Sequence, residues 1–120
     1  MKKSITTDEL KELIYSNDNK SQLYLIDVRE KDELVYGIIP TAKHIPLAQL
    51  DESLHMTEQE FEKKYHFKKF RKNNLIVVYC RSGGRSAVAR SIMQKNGYNA
   101  LNYTGSILAW SKIDPNVTAY

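Results

Sequence analysis

Leu75-Ile76-Val77-Val78-Tyr79-Cys80-Arg81-Ser82-Gly83-Gly84-Arg85-Ser86 is the stretch on which the reading of the fold turns. Five strand-forming apolar residues with no polar alternation describe a strand covered on both faces, as in a parallel sheet between helices. A short glycine-rich turn follows. A helical pattern then opens at Ser86, with Val88, Ala89, Ile92 and Met93 on an apolar stripe and Gly97 placed as its C-terminal stop.

The same alternation extends in both directions. Leu23-Tyr24-Leu25-Ile26 reads as a second strand buried on both faces, ending at Asp27-Val28-Arg29. Before it, Thr6-x-x-Glu9 forms a capping box ahead of Leu10, Leu13 and Ile14, and that helix should end within Ser16-Asn17-Asp18-Asn19. After it, Glu30 to Val35 suits a short helix stopped by Gly37, and Lys43-His44-Ile45 a brief strand closed by Pro46. Thr57-x-x-Glu60 opens a helix reaching about Tyr65. Ala100 to Tyr103 is a weaker strand, followed by a terminal helix over Ile107 to Trp110. The fold class expected is α/β, a mostly parallel central sheet flanked by helices on both faces. In such sheets the ligand crevice lies beyond the carboxyl ends of the strands. Cys80 is the first residue past the most apolar strand.

Composition narrows the class. A chain of 120 residues, 42% hydrophobic and 27% charged, suits one globular domain spanning residues 1–120. No apolar run approaches the ~18–20 residues of a membrane span, and the start has no secretory pattern. The single cysteine excludes an internal disulfide and fits a reducing compartment, so a cytoplasmic location is expected. Net charge is +4, with Lys63, Lys64, Lys68, Lys69, Arg71 and Lys72 close together. That cluster has neither a recognition motif nor interleaved aromatics, so nucleic-acid binding is not expected. It serves solubility or docks an acidic protein partner. His44, His55 and His66 lack metal-ligand spacing, and neither a metal nor another cofactor is expected.

The turn after Cys80 has its own chemistry. If Cys80 to Arg85 curls into a cup, Gly83 and Gly84 permit backbone angles that turn successive N–H groups inward. The following helix adds a partial positive charge, and Arg81 and Arg85 add full charges if they fold towards the cup. An anion is favoured there, and a thiol would shift towards its reactive thiolate. The competing reading is a buried cysteine used as a small apolar filler. Asp27 and Arg29 read as a structural ion pair or loop brace, and Trp110 as a core aromatic.

Four segments in order resemble the rhodanese-like family of sulfurtransferases: Asp27-Val28-Arg29-Glu30 with Glu33; Gly37 through Ala42 to Ile45-Pro46-Leu47; Cys80 to Ser86; and Gly105-Ser106-Ile107-Leu108-Ala109-Trp110. The resemblance implies that Cys80 attacks the outer sulfur of a donor such as thiosulfate and becomes a persulfide. Cyanide, a small thiol or a protein thiol would then remove that sulfur. It implies substrate binding by Arg81, Ser82, Gly83, Gly84 and Arg85, with Asp27, Arg29 and Ser86 supporting the site. Ile38 stands where the family often has histidine, His44 replaces asparagine, and Thr41 and Ser106 replace glycines, implying slightly different turns near the loop. Cysteine phosphatases and arsenate reductases place five residues between cysteine and arginine. Here four separate Cys80 from Arg85, a cup too tight for tetrahedral phosphate. A non-catalytic or sulfur-relay module acting through a protein partner is the alternative.

Overall fold

In the computed structural model, which describes residues 2–16 and 23–120, one sheet of five parallel strands carries the fold. In chain order these are β1 (Ser4–Ile5), β2 (Leu23–Asp27), β3 (Lys43–His44), β4 (Leu75–Tyr79) and β5 (Ala100–Tyr103). They lie in the order β1-β5-β4-β2-β3, which puts β4 in the centre. The helices are α1 (Thr7–Tyr15), α2 (Leu47–Leu54), α3 (Glu58–Tyr65), α4 (Gly84–Lys95) and α5 (Ser106–Trp110). A 3-10 helix spans Lys31–Tyr36.

The strand β4 shows why both faces are apolar. Ile76 and Val78 pack into a cluster with Leu50, Leu54, Phe61, Ala89 and Met93 from α2, α3 and α4. Val77 and Tyr79 pack into a second cluster, with Leu10 and Ile14 of α1 and Ile107 and Trp110 of α5. Trp110 is buried and donates its indole N–H to Asp114 at 2.9 Å, so it belongs to the core. Both capping boxes form: Thr6 Oγ1 accepts from Glu9 N at 3.2 Å, and Thr57 Oγ1 from Glu60 N at 3.1 Å.

Several elements depart from the sequence reading. Two were not anticipated: β1 has only two residues, and α2 opens behind Pro46 with no side-chain cap to announce it. The helix expected from Ser86 begins at Gly84. Val88, assigned to its apolar stripe, is 51% exposed; Ala89 and Met93 of that stripe are buried, and Ser86 is buried with them. The first helix ends at Tyr15; of the stretch expected to close it, Asn17, Asp18 and Asn19 lie outside the described residues.

Candidate active site

Register brings the site together. Asp27 pairs with both Tyr79 and His44, so β2, β3 and β4 end in one row, and Cys80 is the next residue beyond it. The backbone N–H of Cys80 donates to Ser106 Oγ at 3.1 Å, and that hydroxyl donates in turn to Tyr103 O at 2.8 Å. Ser106 has φ 49° and Thr41 φ 74°. Both therefore hold the left-handed backbone region that favours glycine. At Ser106 the hydroxyl bonds offset the conformational cost of about 1–2 kcal/mol.

The Cys80 sulfur lies beside apolar side chains yet is not sealed among them. Gly83 N–H donates to Sγ at 3.1 Å, and Ser86 Oγ lies 3.4 Å away. Burial pushes the thiol pKa up, but hydrogen bonds from the Ser86 hydroxyl and the backbone of Ser86, Gly83 and Ser82 outweigh it, and the net shift is downward. Gly83 takes φ 99°, and a Cβ there would sit 2.5 Å from Thr104 O, so the turn requires glycine. Gly84 differs. It is the first residue of α4, and a Cβ on it would meet nothing within 4 Å. Only one of the two glycines supplies the unusual backbone angle assigned to both.

The two loop arginines also differ. Arg85 makes a bidentate pair with Glu33, at 2.5 and 2.9 Å. This pair holds the Glu33 carboxyl at about 2 and raises Arg85. Arg85 thus does not meet the cup as a free charge. Arg81 has no acidic partner among the described residues; its guanidinium carbon lies 5.1 Å from the centre of the Tyr120 ring, and its buried Nε is unpartnered.

Tyr120 gave no signal in the sequence. Its hydroxyl donates to Glu33 at 2.6 Å and accepts from Arg29 at 3.2 Å, and its ring stacks on Tyr36 at 4.2 Å. A backbone bond from Thr118 N to Tyr36 O, at 2.8 Å, brings the segment there. It passes Gly37 so closely that a Cβ on Gly37 would lie 2.4 Å from Asn116 O. Beneath it, Arg29 and Asp27 form a buried ion pair at 2.7 Å, and Arg29 also donates to Gly37 O at 2.7 Å. Asp27 and Arg29 therefore form the buried ion pair expected of them, Arg29 also ties down the Glu33–Gly37 segment, and neither is a hydrogen-bond partner of the Cys80 sulfur. His44 Nε2 bonds Arg29 O at 2.7 Å, tying β3 to the same brace.

A strand-end cysteine in a one-glycine cradle, on a five-stranded parallel sheet of this order, defines a class of protein. The rhodanese-like domain profile matches residues 6–113, and the chain belongs to that family. A Schizosaccharomyces pombe protein whose name places it in mitochondria is 48% identical over 88 residues, 72% of this chain and 62% of that protein. The match thus covers about three fifths of that relative's length. Human thiosulfate:glutathione sulfurtransferase is 30% identical over 89% of this chain and 91% of its own. The structure of the human single-domain sulfurtransferase TSTD1 superposes with a TM-score of 0.85 at 29% identity, covering 92% of this chain and 96% of the other.

Proposed function

We propose that the protein is a sulfurtransferase that carries sulfur from thiosulfate to a thiol by way of a persulfide on Cys80. The observation that carries this reading is the Gly83 amide 3.1 Å from Sγ, donated to a thiol whose pKa lies below its ordinary value. In the first step the Cys80 thiolate attacks the outer sulfur of thiosulfate. A sulfur–sulfur bond forms, the bond to the sulfonate breaks, and sulfite leaves with the electron pair. In the second, an acceptor thiolate attacks the terminal sulfur, leaves as its own persulfide and regenerates the Cys80 thiolate. The Ser82, Gly83 and Ser86 amides hold the inner sulfur. The amides of Gly84 and Arg85, at the N-terminus of α4, meet the outer one.

Donor recognition falls to Arg81 more than to Arg85, because Glu33 already neutralises Arg85. The names of the human and S. pombe relatives both specify thiosulfate as donor, and the human name adds glutathione as acceptor; the S. pombe name places that protein in mitochondria, which gives the cytoplasm expected for this chain no support. Among the described residues no helix is long and apolar enough to cross a membrane.

Intact-mass measurement after thiosulfate treatment tests the proposal. One added sulfur atom is expected, removed by glutathione and absent in Cys80→Ser. Turnover of thiosulfate without that adduct in any quench would overturn the covalent route.

A further inference from the structure

The lysine-rich stretch of the sequence is divided, with Lys68, Lys69 and Arg71 lining one pocket and Lys64 another. Lys69 is drawn inward to the carbonyls of Leu54 and Met56, at 2.9 and 2.8 Å, and Lys72 packs against the Tyr98 ring. Lys64 alone of the stretch joins a different group. It lines a groove of about 560 Å³ with Lys31, Lys43, His44, His66 and Phe67, and among the described residues no acidic side chain lines that groove. None of the three lysines forms an ion pair among the described residues. Two lie over aromatic rings, Lys43 at 5.9 Å from Phe67 and Lys64 at 5.5 Å from Tyr65.

The position links the groove to the cup. His44 ends β3 in the same row as Tyr79, with β2 between them, so the groove wall starts about two strand spacings, or ~10 Å, from Cys80. Lys31 heads the 3-10 helix whose Glu33 holds Arg85. An extended chain covers ~10 Å with about three residues. The groove also runs along β3, the edge strand, where an extended segment fits better than a compact one.

We infer that this groove docks an acidic extended segment of an acceptor protein whose cysteine, about three residues away, takes the sulfur from Cys80. The inference rests on the persulfide reading above and names its acceptor. Lys31, Lys43 and Lys64 supply the charge, and Phe67 and Tyr65 the apolar floor. Electrostatic matching of this kind raises association rate and selectivity more than it strengthens the resting complex.

Discharge of preformed Cys80 persulfide by single-cysteine peptides tests it, using acidic, neutral and basic blocks set three residues from the cysteine. The acidic peptide should discharge it about tenfold faster than the neutral one at low salt, and the difference should close at ~0.5 M salt. In the variant Lys31→Glu with Lys43→Glu and Lys64→Glu, the order of acidic and basic peptides should reverse while thiosulfate–cyanide turnover stays at the wild-type level. If that variant fails to fold, the three Lys→Gln changes should abolish the preference instead. Equal rates for acidic and neutral peptides in the wild type would overturn the inference, as would a preference that survives the lysine changes. Glutathione losing as much rate as the acidic peptide in the variant would overturn it too, assigning the groove to a small dicarboxylate thiol. With wild-type persulfide forming and discharging to cyanide, any of these failures touches the groove alone; a wild type that forms no persulfide sinks the reading beneath it.

Discussion

At the scale of single residues, the cradle makes unequal demands on neighbours that look alike. Gly83 has φ 99° and Thr104 O where a Cβ would go, so Gly83→Ala should displace the amide that holds the sulfur. Thiosulfate turnover should fall at least ~100-fold, as when a single positioned amide donor is lost. Gly84→Ala should leave turnover within about twofold and add up to ~1 kcal/mol to stability, since alanine suits the first helical turn better. Parallel turnover and thermal denaturation of the two variants check this; equal losses would mean that the turn is set by something other than Gly83. Tyr120 separates in the same way. Tyr120→Phe keeps the ring under Arg81 and loses the hydroxyl bonds to Glu33 and Arg29, whereas Tyr120→Ala loses both. A guanidinium–ring contact contributes ~1 kcal/mol, so the KM for thiosulfate should rise about fivefold in Tyr120→Ala and barely in Tyr120→Phe. Matching increases in the two variants would remove Arg81 from donor recognition.

Between elements, the Glu33–Arg85 pair fastens the 3-10 helix to the start of α4. Arg85 foremost, then the Tyr120 hydroxyl and the Glu30 amide, lower the Glu33 carboxyl from 4.5 to about 2 against a smaller opposing effect of burial. A carboxyl depressed on folding stabilises above its unfolded pKa, and that stability is lost as pH falls through the folded value. Glu33→Gln should therefore be less stable than wild type at pH 6, and the difference should shrink between about pH 4.5 and 2. Urea titrations at several pH values read this directly, and a difference independent of pH would assign the effect to shape rather than charge. Glu33 was visible in the sequence as part of a family pattern, but its partner was not, because 52 residues separate it from Arg85. The same holds for Tyr120, which lies 91 residues from Arg29. Signals confined to one segment were legible: the apolar run of β4, the two capping boxes and the turn after Cys80. β1 is too short to show a period, and α2 starts on Pro46 without a capping side chain. Ser106 carries a bonding role that the sequence did not announce. A serine in place of glycine suggests a changed turn, and its hydroxyl bonds to Cys80 N and Tyr103 O help hold the left-handed backbone at φ 49°.

Across the whole molecule, β4 belongs to both hydrophobic clusters, and Cys80 extends from it. Val77 faces the cluster containing Trp110, and Val78 faces the one built on α2, α3 and α4. Both are fully buried, so truncation to alanine should cost about 2–3 kcal/mol on either side. Because the two side chains leave one backbone, held by β2 and β5, a loss on one face should reach the other. Unfolding of a domain this size is then expected as a single transition. Trp110 is the chain's one tryptophan and reports on its own face, while far-UV circular dichroism reports on the entire sheet. In Val78→Ala, whose cavity lies across the sheet from Trp110, the fluorescence midpoint in urea should move as far as the dichroism midpoint. The same coincidence is expected for Val77→Ala. Should Val78→Ala shift the dichroism while the Trp110 transition stays in place, the two layers fold separately. The cradle, which takes its sulfur from one layer and the Ser106 brace from the other, would then have no common foundation.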